Sequence, residues 1–337
     1  MRAVVFHEAG RWSIEHVADP APQPDEVVIA VRACGLCGTD LHLLQGEFRP
    51  DYPLIPGHEY SGRVVEVGAA VREFRPGDAV AIDPNYYCGG CRYCQIAYPQ
   101  FCENWFGYGV KRPGGFAEYS AVVEKNVLRL PDGVPFEHGA MVEPVACCLH
   151  GVDLAGVRAG DHVVIIGAGG IGQILAQLVR AAGASTVTVS DPLPQKRELA
   201  LALGATHAID PEHESLVDSV MGMTGVGADV VIEAAGTRAS VTEALRVARK
   251  GGTVMWFSVC DADLSVAVEP YDLFMRELTV RTSFTNPFTS ARALRLIAAG
   301  RVDLTPIISH TFALADFGAC MDSMRAGVSI KAQVRFD

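Results

Sequence analysis

The 337-residue chain is 49% hydrophobic and 20% charged, apolar enough and long enough for two domains with a core each. Its formal net charge of −11, with no basic block, argues against a nucleic-acid partner. The first ten residues, MRAVVFHEAG, lack the charged start and apolar run of a secretory signal, and glycines interrupt the apolar stretch 162–179, so a cytoplasmic protein without a membrane span is expected.

Short apolar runs at residues 3–6 and 26–31, set among Pro20, Pro22 and Pro24, predict small β-strands joined by turns, and residues 62–67, 78–82 and 116–123 continue the pattern. No helical period of useful length precedes about residue 135, so the first part is expected to be β-rich. Within it, the stretch CGLCGTDLH (34–42) is followed by Gly57-His58-Glu59. Cys37, His58 and Glu59 offer a thiolate, an imidazole and a carboxylate, all compatible with zinc. Taken singly they read equally well as a core thiol, a turn histidine and a surface acid.

Cys88, Cys91, Cys94 and Cys102 place four sulfurs within fifteen residues, with Gly89 and Gly90 easing the turn. Four sulfurs at this spacing can close a tetrahedron around zinc with no open position, the mark of a structural site. Two interleaved disulfides in so short a loop would be strained. An iron–sulfur cluster is the chemical rival, but nothing else in the sequence suggests electron transfer.

Residues 139–154 are rich in Ala, Cys and Leu and predict a helix leading into a second domain. That domain opens with a β-branched run at 162–166, followed by Gly167-Ala168-Gly169-Gly170-Ile171-Gly172, which fits G-x-G-x-x-G. Gly167 allows the turn, Gly169 lets backbone approach a pyrophosphate, and Gly172 lets helix pack on strand. A helix over 173–182 presents its first amides to the phosphates, and a second strand, 186–190, ends at Asp191, nineteen residues after Gly172. An acid there accepts from the adenosine ribose hydroxyls and repels a 2′-phosphate, so NAD is expected rather than NADP. Lys196 is either a second contact to the ribose edge or a solvated helix-face lysine.

Strands at 205–209, 229–234, 252–259 and 278–284 alternate with helices at 195–203, 214–221, 240–248 and 271–275. With the first two strands this makes about six parallel strands in a doubly wound α/β sheet. A helix at 289–299, a strand at 307–312, a helix at 314–325 and a strand at 331–336 close the chain and are expected to return to the first domain.

GLCGTDLH, PGHEYSGRVVEVG, the four-cysteine lobe and GAGGIG, in that order over nearly the whole chain, resemble the zinc-containing medium-chain dehydrogenase family. Within it the likeness is greatest to the polyol (sorbitol-like) dehydrogenases, with threonine and butanediol dehydrogenases nearby. The resemblance implies a GroES-like β-barrel catalytic domain, residues 1–150 and 285–337 with the lobe at 88–102, interrupted by a Rossmann NAD-binding domain, residues 151–284. It implies zinc-dependent oxidation of a secondary alcohol of a polyol to a ketose, with the hydride passing to NAD.

Carried over by position, Cys37, His58 and Glu59 are catalytic zinc ligands, and Glu143 stands where alcohol dehydrogenases carry a second cysteine ligand. Zn²⁺ with two anions and a neutral imidazole is a neutral site, and a fourth anion would make it a poorer Lewis acid. Glu143 is therefore expected to hold a zinc-bound water, or to ligate only while substrate is absent. Thr39 is implied to take the hydroxyl proton, in a relay through the nicotinamide ribose to His42 and solvent. Asp40 is implied to orient His58 by accepting its other ring proton.

Members of the family are dimers or tetramers, so a homo-oligomer, a tetramer before a dimer, is expected, with the strand at 252–259 a candidate for pairing across a dimer. Sorbitol-like enzymes often carry an Arg-Tyr pair after the phenylalanine that ends the last Rossmann strand, whereas here Phe284 is followed by Thr285-Asn286-Pro287. Trp105, Phe106 and Tyr108 read either as cleft-lining residues or as packing beside the lobe. Outside this class stand a nonenzymatic nucleotide-binding relic, a zinc hydrolase and a methyltransferase, none of which explains two zinc motifs together with Asp191.

Overall fold

The structure, a computed structural model, describes residues 1–48 and 50–337. The chain divides into two compact units, Met1–Ala146 with Thr285–Gly300 and Leu304–Asp337, and Cys147–Phe284 with Arg301–Asp303.

The first unit is built on strand Glu26–Gly35, whose Val27, Ile29, Val31 and Ala33 are buried. It pairs antiparallel with Glu59–Val67, with Tyr119–Val123 and with the last strand, Lys331–Arg335, so the tail does return to this unit. Phe6, Tyr60, Phe116 and Phe317 fill the core, the Phe116 and Phe317 rings meeting edge to face at 4.9 Å. The register sets Gly35 opposite both Glu59 and Gln333, which brings the starts of two distant strands to one end of the central one.

A helix precedes residue 135 after all: α1, Gly38–Leu44. Two turns are too short to show a helical period, and α1 depends on its ends and one buried face instead. Cys37 is its extended N-cap residue, the Asp40 carboxylate reaches back to accept the Cys37 N–H at 2.9 Å, and Asp40, Leu43 and Leu44 face inward. The later expected helix is α2, Val142–Ala155.

In the second unit all six strands are parallel, in the order His207–Ile209, Thr186–Ser190, His162–Ile166, Ala228–Glu233, Ala248–Trp256, Thr279–Thr282. The order reverses between His162–Ile166 and Ala228–Glu233, the switch point at which open α/β sheets bind nucleotides. Ala248–Trp256 is paired on both sides, so the 252–259 strand cannot pair across a dimer; Thr279–Thr282 holds that edge. Sequence could not rank the two, because both read as short β-branched runs. Helix α3, Gly170–Ala181, begins three residues earlier than expected, the last glycines of the loop being already helical. No helix among the described residues is long and apolar enough to cross a membrane.

Candidate active site and metal centres

Cys37, His58 and Glu59 converge, with one ligand atom from each lying within 4.8 Å of the others. Cys37 comes from the N-cap of α1, while Glu59 opens strand Glu59–Val67 with His58 just before it. His58 and Glu59 are buried, and the His58 Nδ1 has no hydrogen-bond partner there. A thiolate, an imidazole and a carboxylate packed this closely are a donor set that fits a zinc ion.

Asp40 lies behind this cluster, fully buried, with Oδ1 3.6 Å from His58 Nδ1, beyond hydrogen-bond length. Its carboxylate is taken instead by the amides of Cys37 (2.9 Å) and Gly57 (3.2 Å), so it fixes the two backbones that carry the ligands. Burial pulls the His58 pKa down, but the Asp40 carboxylate and Cys37 sulfur push harder, and the balance lies well above the ordinary histidine value.

A residue not anticipated from the sequence is Lys331. Its buried Nζ lies 2.7 Å from Glu59 Oε1 and 2.5 Å from Oε2. Burial works against its charge, but Glu59 first and Cys37 next keep it protonated. Gly35 makes room for the pair, since a Cβ there would fall 2.1 Å from Glu59 Oε2 and 3.1 Å from Lys331 Cε. No local motif marks a lysine 272 residues from its partner. Only the pairing of both strands with residues 33–35 brings them together.

Glu143 sits in the first turn of α2, 9% exposed, and is not one of the three converging ligands, although its charge is felt at Lys331. Lys331 also changes the charge count: a zinc ion (+2) with Cys37 and Glu59 (−2), Glu143 and Asp40 nearby (−2) and Lys331 (+1) would sum to −1, against −2 without the lysine. Thr39 and His42 lie one turn apart on α1, both half-buried. His42 Nδ1 is 2.7 Å from Glu47 Oε2.

The four lobe sulfurs also lie within 4.8 Å of one another. Backbone N–H groups of Gly90 (3.4 Å) and Cys91 (3.3 Å) donate to Cys88 Sγ, and those of Cys88 (3.3 Å) and Asn104 (3.4 Å) donate to Cys102 Sγ. The Gly90 and Cys91 amides draw the Cys88 pKa down to about 6, whereas desolvation, then the Cys91 and Cys102 sulfurs, push Cys94 up to about 12. Four sulfurs this close cannot all ionise without a cation among them, which is what zinc provides. By contrast burial pushes the lone Cys34 thiol well up and Cys320 to about 12, so both remain neutral core thiols.

Of the aromatics beside the lobe, Phe106 stacks on Tyr86 at 4.4 Å, Trp105 donates to Asn85 Oδ1 at 3.0 Å, and Tyr108 is buried with its hydroxyl accepting the Val123 N–H. All three therefore have packing roles. Asn286 is buried and donates to Ser290 Oγ (2.7 Å) and Asp83 Oδ1 (3.3 Å), which anchors the Thr285-Asn286-Pro287 segment to the first unit.

In the second unit the 167–172 loop joins strand His162–Ile166 to α3. Gly167 has φ +101°, and a Cβ on Gly172 would lie 2.0 Å from the Gly167 carbonyl oxygen. The space over Gly169, the helix N-cap, is open, and that residue supplies no side-chain cap. The first amides of α3, from Gly170, Ile171 and Gly172, thus lack intrahelical acceptors and suit a pyrophosphate. Asp191 ends its strand buried, with Oδ2 accepting the Ala168 N–H at 2.8 Å and Oδ1 the Leu193 N–H at 2.9 Å. Lys196 is half-buried, and its carbonyl accepts from Gln173. Its neighbour Arg197 donates to the carbonyls of Asp191 and Pro192 and pairs with Asp210 at 2.9 Å.

A nucleotide-binding parallel sheet joined to a β-rich unit with two metal-ligand clusters defines a zinc-type, nucleotide-dependent dehydrogenase. Residues 23–132 match the alcohol dehydrogenase GroES-like domain, and residues 170–299 match the zinc-binding dehydrogenase domain. The chain is 31% identical to D-arabinitol dehydrogenase 1 of Uromyces fabae, over 99% of this chain and 97% of that one. It is 34% identical to L-threonine 3-dehydrogenase of Aeromonas hydrophila, over 98% and 97%. Among solved structures, a protein of Sinorhizobium meliloti described as a zinc-binding dehydrogenase and bound to NADP superposes with TM-score 0.95 at 42% identity, covering 99% of each chain. The chain belongs to the zinc-containing medium-chain dehydrogenase family, with a GroES-like domain and a Rossmann-type sheet.

Proposed function

We propose that this protein oxidises a secondary alcohol of a polyol to a ketose, with zinc held by Cys37, His58 and Glu59 and NAD held at the 167–172 loop. The observation that carries this reading is the convergence of three unlike zinc donors in a buried site backed by a protonated lysine. When bound, zinc would polarise the alcohol and NAD would accept the hydride. The protein's own residues do the rest. Lys331 offsets the Glu59 charge so that the donor set does not over-neutralise the metal, and the Cys37 and Gly57 amides hold Asp40 behind His58. Thr39 takes the hydroxyl proton, and His42, one turn on along α1, receives it by way of the nicotinamide ribose and passes it outward. Glu143, outside the converging three, holds a water or ligates while substrate is absent. The lobe cysteines hold a second, structural zinc.

NAD is favoured over NADP because the acid at Asp191, where its strand ends, would repel a 2′-phosphate, and because Arg197 is already engaged with the Asp191 and Pro192 carbonyls and with Asp210. The NADP-bound relative makes the comparison of the two cofactors the first control. Threonine and butanediol are the competing substrates. The absence of an Arg-Tyr pair at 285–286 and the likeness to a threonine dehydrogenase both favour trying them. A homo-oligomer, with a tetramer preferred, fits the exposed edge strand Thr279–Thr282 and the exposed Tyr271 and Phe274 on helix Pro270–Arg276.

The deciding experiment measures reduction of NAD⁺ and NADP⁺ against tetritols, pentitols, hexitols, butanediol and threonine, with and without a zinc chelator. Chelator-sensitive reduction of NAD⁺ by one polyol stereo-series is expected. Turnover confined to threonine or butanediol would overturn the polyol assignment, and preference for NADP⁺ would overturn the cofactor.

A further inference from the structure

Helix α1 ends on Gly46 at φ +86°, with the Gly46 N–H bonded to the Leu43 carbonyl (3.1 Å) and the Glu47 N–H to the His42 carbonyl (3.0 Å). This double closure reverses the chain and brings the side chains of residues 42 and 47 together, a contact that is frequently apolar in helices ended this way. Here it is an imidazole and a carboxylate, Nδ1 to Oε2, 2.7 Å apart, with the Phe48 ring edge-on to His42 at 5.7 Å. Against an ionised carboxylate, which can only accept, Nδ1 is the donor, and in a neutral ring Nε2 is then the one acceptor. Asp40, Leu43 and Leu44 turn into the core, while Thr39 and His42 share the less buried side of α1.

We propose that Glu47 is a positioning residue for proton transfer, holding His42 as the Nδ1–H tautomer with Nε2 free to accept. The inference rests on the alcohol-oxidation reading above. In the step, a proton arriving from the Thr39 side forms a bond to Nε2, the imidazolium keeps its Nδ1–H bond to Glu47, and the same proton leaves Nε2 to water. No electron changes place at His42 or Glu47. The logic is that of a general base oriented by an acid behind it. The Glu47 side chain is 41% exposed, so its contribution is a part of the 10²–10⁴-fold range of a full general base, roughly tenfold.

The test is ¹⁵N NMR of the histidine rings in the full-length protein, with His42 assigned by H42A, together with steady-state kinetics of wild type, E47Q, E47D, H42A and H42A/E47Q. Expected are a protonated Nδ1 in wild type, its loss in E47Q, a roughly tenfold lower kcat in E47Q with little change in KM, and recovery of most of that in E47D. In the H42A background E47Q should cost nothing more, because Glu47 acts through that ring. An Nε2–H ring in wild type, or an equal loss from E47Q with and without His42, would overturn the proposal. If no alcohol is turned over but the Nδ1–H ring is present in wild type and lost in E47Q, the positioning stands and the alcohol reading falls.

Discussion

The two metal-ligand clusters solve one electrostatic problem in opposite ways. The lobe collects four sulfurs from one fifteen-residue stretch and backs them with backbone N–H donors, which the loop supplies itself. The other cluster collects a sulfur, a nitrogen and an oxygen donor and backs them with charged side chains, Asp40 from α1 and Lys331 from the last strand. Amide donors stabilise thiolates without adding net charge, which suits a metal that only holds a loop. A buried lysine and aspartate would set the charge at a metal held there, and on the proposed function a metal that polarises substrate would depend on that charge.

The largest expected effect is at the mixed site. On the proposed function, His58→Ala should lower kcat/KM by several orders of magnitude while circular dichroism and nucleotide binding persist, because it would remove a ligand from the metal that activates the alcohol. Retained turnover would mean that this cluster is not the reacting one. Lys331→Met comes next. It leaves the Glu59 carboxylate buried and unpaired, a loss of about 3–5 kcal/mol in urea unfolding of the metal-free protein. With zinc bound the loss should shrink, since the ion then compensates Glu59. An equal loss in both states would show that Lys331 serves the fold alone. Among the described residues the lobe sulfurs are backed by backbone amides, which sharpens the contrast.

The same contrast explains what could be read from the sequence. The four cysteines, G-x-G-x-x-G and Asp191 were legible because each signal is local: ligands a few residues apart, or a turn, helix and strand within thirty. The alternation of strands and helices after residue 160 was legible because buried parallel strands and amphipathic helices have periods that differ. Lys331 was not, since its meaning comes from a strand register 272 residues away. Nor was Glu47, which reads as a loop acid until α1 is known to exist, and α1 is too short to show its period. Asp40 was read as a ring acceptor for His58, yet at 3.6 Å it is the Cys37 and Gly57 amides that hold it.

Cys91→Ser probes the lobe alone. With zinc in both clusters, breaking the lobe site should lower Tm by roughly 4 °C, the shift for about 2.7 kcal/mol of lost binding at a hundredfold excess over Kd in a chain of 337 residues. The kcat at 25 °C should stay near wild type, and a collapse of kcat with Tm unchanged would exchange the roles of the two clusters.

The smallest and cleanest pair applies one methyl group to each region. At Gly35 the added Cβ would meet Glu59 Oε2 at 2.1 Å and Lys331 Cε at 3.1 Å, so Gly35→Ala must push the buried ion pair apart. Overpacking of this kind costs about 1–3 kcal/mol, and here it should also weaken zinc binding at the mixed site. At Gly90 the same Cβ meets nothing within 4 Å and leaves the N–H donated to Cys88 Sγ in place. Gly90→Ala should therefore change stability by no more than about 0.5 kcal/mol and leave the metal content alone. If both variants were silent, the tight packing around Glu59 and Lys331 would not be what sets the mixed site apart. If Gly35→Ala alone loses metal, the difference between the clusters lies in side-chain packing rather than in the ligands themselves.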